Sequence, residues 1–561
     1  MMDRNTITAL LLITLVLIVT PYYMKLVSPG VDPVEETFDG GVETTQQPVV
    51  YREYENTSNQ DGDSDLVIQG ETTVENLVKI ENDLYIATIS SKNGGSITSF
   101  EIKDHLKSDS SFVNLSSNNN KNNLLISFKD FNGELVNINS GWVQQFKGDN
   151  FYIDNSKTLI YTNDLGKGKI TKALTFHPDR FVIDIDTDIT EIATSTLGNT
   201  YTLGWVGGLP PTEKDSVSES TYFNSYLFQG DELVDVKVGK DETFSNDYKG
   251  QTEWVATRSK YFVASLFDET GGQFISSSIS ASFNKDELYS VYASLEANKI
   301  ANTSLYLGPL EYDRIKNLGI NLESVMDFGW AIVRPISKGV LWVLKSMHGF
   351  IPNYGVILII FSVLIKLIVY PLTKKSYQST QAMQAIQPEI ASLKEKYKNN
   401  PTKLNQATME LYKKKGVNPL GTCFPMMLQM PLLFALFTVF RSTIELRGEP
   451  FVFWIKDLSA PDVIFYLPFK VPLYGDYVCA LPILMALSMF AQQKMMSPQA
   501  ASGPQAEQQK IMQYFMMGFF FLLFNSFPSG LNLYYTLFNV LTIAQQKLTG
   551  NTQVTKNPGV F

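Results

Sequence analysis

The chain has 561 residues, 44% hydrophobic and 18% charged, with a formal net charge of −10. That charge argues against nucleic-acid binding by the molecule as a whole, so DNA is not an expected partner. The two cysteines, Cys423 and Cys479, lie in or beside apolar runs, which excludes a disulfide framework and a Cys-based zinc site; His105, His177 and His348 show no ligand spacing, and no cofactor is expected.

Residues 7–24 are apolar and follow Arg4. The small-residue exit at Ser28 is followed by Pro29, a poor cleavage context, so residues 1–27 read as an uncleaved signal anchor with a cytoplasmic N-terminus. Residues 28–65 carry ten acidic residues against one Arg, plus several Pro and Gly, and read as a flexible linker. Residues 66–320 change character. Leu84-Tyr-Ile-Ala-Thr-Ile89, Phe181-Val-Ile-Asp-Ile-Asp186 and Tyr261-Phe-Val-Ala-Ser-Leu-Phe267 are strand-like, and Asn93-Gly94-Gly95, Asn132-Gly133 and the Asn118-Asn119-Asn120 tract mark turns or loops. Many short strands and little helical period predict a large all-β sandwich.

Residues 321–350 hold an amphipathic pattern. Trp330, Val333, Val340, Val343, Leu344 and Met347 are interrupted by Arg334, Lys338 and Lys345, as suits a helix lying in a membrane interface. Five apolar spans follow within residues 351–548, near 354–371, 424–440, 478–490, 511–527 and 531–543. Several fall short of the ~20 residues that cross an ordinary bilayer core, which implies extended flanks or a thinned membrane.

Positive charge sets the expected orientation. Residues 373–416 carry nine Lys and three Glu and should be cytoplasmic, whereas residues 441–477 carry four basic and five acidic residues and should lie outside. Lys494 and Lys510 return the chain inside, residues 525–530 make a tight outer turn, and the tail, 549–561, is cytoplasmic. The expected total is six transmembrane helices, with both termini inside and residues 28–350 in the periplasm. The basic loop 374–416 reads as a helical hairpin: a first helix over 376–398, then a second capped by Asn400, entered through Pro401 and stopped at Gly416. Its Lys394, Lys396, Lys398, Lys413, Lys414 and Lys415 suit attraction to anionic lipid headgroups or ribosomal RNA.

The most informative residue is Lys366, inside the first of the five spans. A cation near mid-span costs at least ~2.5–3.5 kcal/mol and should face a polar cavity. Ser362, Lys366 and Tyr370 recur every four residues on one face. In the last span Asn532, Thr536 and Asn539 form a second polar stripe, with Tyr535 and Gln546 nearby; Gln429 in the third expected helix of the chain is a further candidate. None of the spans holds an acidic residue, which argues against a proton or cation pump. There is no phosphate-binding G-x-x-x-x-G-K-[ST] loop, and nothing in the sequence resembles a Ser-His-Asp set or a zinc hydrolase.

Tyr370-Pro-Leu-Thr-Lys374, Val417-Asn-Pro-Leu-Gly-Thr-Cys-Phe-Pro425, Gln429-Met-Pro431, Trp454-Ile-Lys-Asp-Leu-Ser459 and Phe527-Pro-Ser-Gly-Leu531 resemble the YidC/Oxa/Alb family of membrane protein insertases over about residues 320–548. Tyr222, Trp254 and Arg258-Ser-Lys-Tyr-Phe262 resemble the outer domain of its Gram-negative type. The resemblance implies a five-helix core behind an N-terminal anchor in a bacterial inner membrane, a periplasmic β-super-sandwich, and a groove open to cytoplasm and lipid. It also implies nascent membrane proteins, the Sec translocon, the ribosome and signal-recognition machinery, and lipids as partners, and a function without enzymatic chemistry. The family usually carries Arg at the groove position matched by Lys366; lysine keeps the charge without the planar fork. Residues 463–476 stand as an insertion before the fourth of the six expected spans. Two other readings follow from the residues: a small-solute transporter with an outer sensing domain, which would need coupling-ion carboxylates, and an envelope carbohydrate enzyme, which would need clustered His and carboxylates.

Overall fold

A computed structural model describes residues 75–107, 109–117, 120, 122–283, 287–398, 400–417, 420–471, 474–496 and 504–550. The expected anchor (1–27), acidic linker (28–65) and most of the tail (549–561) lie outside the described residues.

Strand-forming segments begin at Leu77–Glu81 and continue to Ala301–Pro309, arranged in a five-stranded, a nine-stranded and a six-stranded sheet. Pairing is antiparallel except for Leu77–Glu81 against Asn150–Tyr152. Alternation explains the burial: Lys169–Phe176 buries every second side chain, from Ile170 to Phe176, and so commits one face to the core. Trp254–Arg258 and Phe262–Phe267, in contrast, are buried at every position, as central strands covered on both faces are. Turn residues behave as their chemistry requires. Asn93, Gly94 and Gly95 all take positive φ in a tight turn between strands, and a Cβ on Gly95 would sit 2.4 Å from Leu174. The sandwich core runs continuously from Val78 to Phe328 and includes Leu341 and Ile444 from the helical half, so the two halves share packing.

Among the described residues eight α-helices follow: α1 (Arg334–His348), α2 (Tyr354–Ala385), α3 (Gln387–Lys396), α4 (Pro401–Lys415), α5 (Leu420–Ser442), α6 (Ala480–Met496), α7 (Pro504–Phe524) and α8 (Ser529–Gly550). Among the described residues one helix segment, Tyr354–Pro371, is both long and apolar enough to cross a membrane; Met430–Ser442 and Tyr514–Phe524 are shorter apolar stretches. The amphipathic pattern of residues 321–350 gives α1, with Pro335 at its start and Trp342 70% exposed opposite buried Val340, Leu341 and Leu344.

Several boundaries differ from the sequence pattern. The expected helix over 376–398 is divided: α2 passes through Pro371 to Ala385, and α3 starts afresh with Pro388 in its first turn. The expected span 478–490 loses its first two residues, because Val478 and Cys479 belong to a strand. Residues 463–476, expected as an insertion, fall in a β-hairpin, Val463–Val471 paired with Gly475–Cys479. The α4 signals hold: the Asn400 side chain accepts from Lys403 N, and Gly416 closes the helix at φ 63°.

Candidate functional site

The four-residue spacing along α2 places Ser362 and Lys366 on the face packed into the helical core, 0% and 8% exposed. Tyr370, one turn further, is 41% exposed and does not join them. Lys366 Nζ donates to Thr542 Oγ1 on α8 at 2.5 Å and stands 3.6 Å from the centre of the Phe538 ring. Phe538 and Thr542 are one turn apart, so a single face of α8 supplies both the hydroxyl and the aromatic face. A desolvated cation over a ring gains roughly 2 kcal/mol, of the same order as the ~2.5–3.5 kcal/mol cost of placing it mid-span. Among the described residues no carboxylate pairs with this ammonium. The same α2–α8 seam continues through Gln545 Nε2, which donates to Thr373 Oγ1 at 3.0 Å.

The other polar residues separate into layers. Asn539 Nδ2 donates to Ser488 Oγ at 3.0 Å, joining α8 to α6. Thr536 donates to the Asn532 carbonyl of its own helix, and Ser362 does the same to Leu358. Asn532 Nδ2 donates to the Phe524 and Phe527 carbonyls, closing the α7–α8 turn. Tyr535 packs edge-on against Phe524, 5.5 Å between centres. Tyr534 Oη, Tyr535 Oη and Asn532 Oδ1 are buried without a partner among the described residues. The Gln429 side chain lies outside the described residues. Sequence reasoning missed Thr542, Ser488 and Gln545. Thr542 follows Asn539 by three positions and extends its stripe, a legible signal; Ser488, isolated in an apolar run, gave none.

One end of the core is locked by two of the sequence motifs acting on each other. Ser529 N donates to Ala460 O, Gly530 N to Leu458 O and Ser529 Oγ to Asp457 O. Lys366 lies about 18 Å along α2 from Tyr354, at 1.5 Å per residue, and so stands well away from this end. The β-domain docks at the same end. Arg447 Nε donates to Glu213 Oε1 at 2.7 Å, Arg447 Nη1 to the Leu106 carbonyl at 2.9 Å, and Lys345 bridges Asp313 and Glu445. Arg441 faces the Tyr222 ring at 5.3 Å, which gives that residue a place at the junction. Burial raises the Glu445 carboxyl pKa, and the Lys345 ammonium beside it opposes that rise.

At the other end α3 and α4 fold together over a small core of Ile386, Ile390 and Val417. Lys396, Lys398, Lys413, Lys414 and Lys415 are exposed and Lys394 is half-buried; Lys415 pairs with Glu389 at 2.5 Å.

The fold brings Ser156, His177 and Asp184 together: Ser156 Oγ is 2.9 Å from His177 Nδ1, and His177 Nε2 is 2.7 Å from Asp184 Oδ2. Strand pairing, invisible in the spacing, assembles them. Arg180 Nη2 stands 3.0 Å from the same Nε2, and Asn82 Nδ2 donates to the His177 carbonyl, so the imidazole serves as a joint between strand ends.

A largely β domain docked on one end of an apolar helical core, with the Lys366 ammonium buried in it, is an architecture that suits a membrane protein with a large outer domain. Residues 346–556 match the family described as 60Kd inner membrane protein, and residues 77–343 match the YidC periplasmic domain. The membrane protein insertase YidC of Chlorobium limicola is 38% identical, covering 99% of this chain and 96% of its own; that of Pelodictyon phaeoclathratiforme is 36% identical, covering 97% and 94%. A crystal structure of an active YidC insertase with its first transmembrane domain resolved aligns over 84% of this chain and 95% of that one, at 16% identity and a TM-score of 0.35. The chain belongs to the YidC family of membrane protein insertases.

Proposed function

We propose that this chain inserts nascent proteins into the bacterial inner membrane and assists their folding there, without enzymatic chemistry. The N-terminal anchor and α2, α5, α6, α7 and α8 make six spans, with both termini cytoplasmic and residues 28–350 periplasmic. The observation that carries the reading is Lys366: a cation inside an apolar core, matched by a hydroxyl and a ring face rather than by a carboxylate. Such an ammonium is available to an incoming acidic or polar flank, whose desolvation it offsets. The unmatched Tyr534, Tyr535 and Asn532 atoms favour a hydrated interior, because buried polar atoms take water when protein offers none. The hydrophobic part of the substrate then leaves for lipid, which supplies the driving force. Ser362, Gln429, Asn532, Tyr535, Thr536 and Asn539 complete the proposed groove, with the exposed Tyr370 at its rim. Lysines 394, 396, 398, 413, 414 and 415 receive the ribosome, signal-recognition machinery or anionic lipid, and the Sec translocon is a partner for larger substrates.

The test is insertion of a radiolabelled single-span substrate with an acidic flank into liposomes containing only this protein. Lys366→Glu is expected to reduce insertion about tenfold and Lys366→Arg to preserve it, since ~1.4 kcal/mol is a factor of ten. Normal insertion by both Lys366→Ala and Lys366→Glu overturns the charge role.

A further inference from the structure

The hairpin of Val463–Val471 and Gly475–Cys479 has a composition unlike that of a ribbon in water. Its first strand reads Val-Ile-Phe-Tyr-Leu-Pro-Phe before reaching Lys470. Successive strand residues face opposite sides. Ile464, Phe465 and Tyr466 are consecutive, yet they are 52%, 58% and 58% exposed, and Phe469 is 64% exposed. Both faces of the first strand therefore present exposed apolar or aromatic side chains. An isolated two-stranded ribbon is marginal in water, so something must cover this one.

Where it lies limits what can cover it. The second strand runs directly into α6 at Ala480. At the far end of the ribbon the Tyr474 ring packs on Phe521 of α7, 5.5 Å between centres, and its carbonyl accepts from Asn525 Nδ2. The ribbon is thus laid across the ends of two core helices, on the side where the β-domain docks, and Lys214 of that domain reaches the Tyr466 hydroxyl at 3.3 Å. A globular partner would cover one face. A lipid surface surrounds both, and it is continuous with the apolar sides of α6 and α7. Open strand edges are excluded from the hydrocarbon centre, because their N–H and C=O groups need partners, but they are tolerated at the hydrated headgroup level. Aromatic residues with a flanking lysine are the composition of that level.

We infer that this hairpin is an interfacial anchor, seated in the outer leaflet through Ile464, Phe465 and Phe469 with Lys470 among the lipid headgroups. It rests on the reading of α2, α6 and α7 as membrane spans. The hairpin then fixes the outer ends of α6 and α7 at the membrane surface while bearing on Lys214 of the outer domain.

The experiment is spin-label accessibility in the full chain, with Cys423 and Cys479 replaced by alanine, in phosphatidylethanolamine–phosphatidylglycerol liposomes. Labels are placed by Phe465→Cys or Phe469→Cys, with Leu367→Cys on the exposed flank of α2 as lipid reference and Phe131→Cys on the β-domain as aqueous reference. The expected result is an oxygen-to-nickel-reagent collision ratio at 465 and 469 several-fold above that at 131. A ratio equal to that at 131 overturns the anchor in favour of a water-exposed ribbon. Exclusion of both reagents overturns it in favour of a protein partner or a second copy. An aqueous label at 367 instead removes the membrane reading beneath it. The emission added by Phe465→Trp, taken as the difference from the parent chain with its native cysteines and six tryptophans, should be quenched by brominated lipid but not by acrylamide; the reverse pattern overturns the anchor without any cysteine replacement.

Discussion

At the scale of single residues, two buried lysines illustrate different solutions to one cost. Lys366 was legible in the sequence because a charge interrupts an apolar run, but its partners were not, since Thr542 lies 176 positions away and only helix packing brings them together. Lys172 was legible by phase, since alternation puts it on the same face as Ile170, Leu174 and Phe176, but its polar partners were not. It is 0% exposed, its Nζ donating to the Asn93 and Leu124 carbonyls at 3.0 and 2.6 Å. Burial lowers its pKa to about 7. The unfolded chain therefore binds the extra proton between about pH 7 and the ordinary lysine range, and stability rises with pH through that window. Urea denaturation of the detergent-solubilised protein, followed at the β-sandwich tryptophans, is expected to show stability increasing from pH 7 to pH 9, by up to ~1.4 kcal/mol per pH unit. Lys172→Met should flatten that rise.

At the scale of elements, the sequence pattern located helices better than it bounded them. Caps were readable where they follow backbone chemistry, as at Asn400 and Gly416. The break between α2 and α3 also had a signal, Pro388, which suits a first helical turn and not a helix interior, but the apolar pattern running across it obscured the boundary. Close approach also leaves little trace in sequence. A Cβ on Gly355 would lie 1.9 Å from the Phe451 ring, so the loop after α5 packs directly on the α2 backbone. Gly355→Ala must displace that ring and is expected to destabilise by ~1–3 kcal/mol, seen as a lower melting temperature in detergent. The α3–α4 hairpin carries a separable prediction. Reversing Lys413, Lys414 and Lys415 to Glu should weaken sedimentation with anionic vesicles or ribosomes, roughly tenfold at low salt and less at high salt, while leaving the melting temperature of the β-domain unchanged.

At the scale of the whole molecule, the division into a β half and an apolar helical half was plain from composition, and the motifs pointed to the family. The docking between the halves was not legible, because it depends on isolated side chains such as Glu213 and Arg447 whose surroundings give no period or motif. Arg447 is 5% exposed and Glu213 is 19% exposed, so removing one partner strands a buried charge at a cost of ~3–5 kcal/mol. Arg447→Ala is therefore expected to loosen the β-domain, read as faster protease cleavage near residues 321–333 at unchanged secondary structure. Glu213→Gln should have a smaller effect, because the Arg447 guanidinium retains the Leu106 carbonyl.

The joint also has a consequence in time. Glu213 and Arg447 are separated by 234 positions, and a ribosome supplies residues in order. The sandwich, complete by Pro309, finishes its own strands long before the arginine that will hold it exists. Until then the domain is held through α1, by Leu341 in its core and Lys345 on Asp313, so its seating is completed in two stages, and the second waits for the residues after α5.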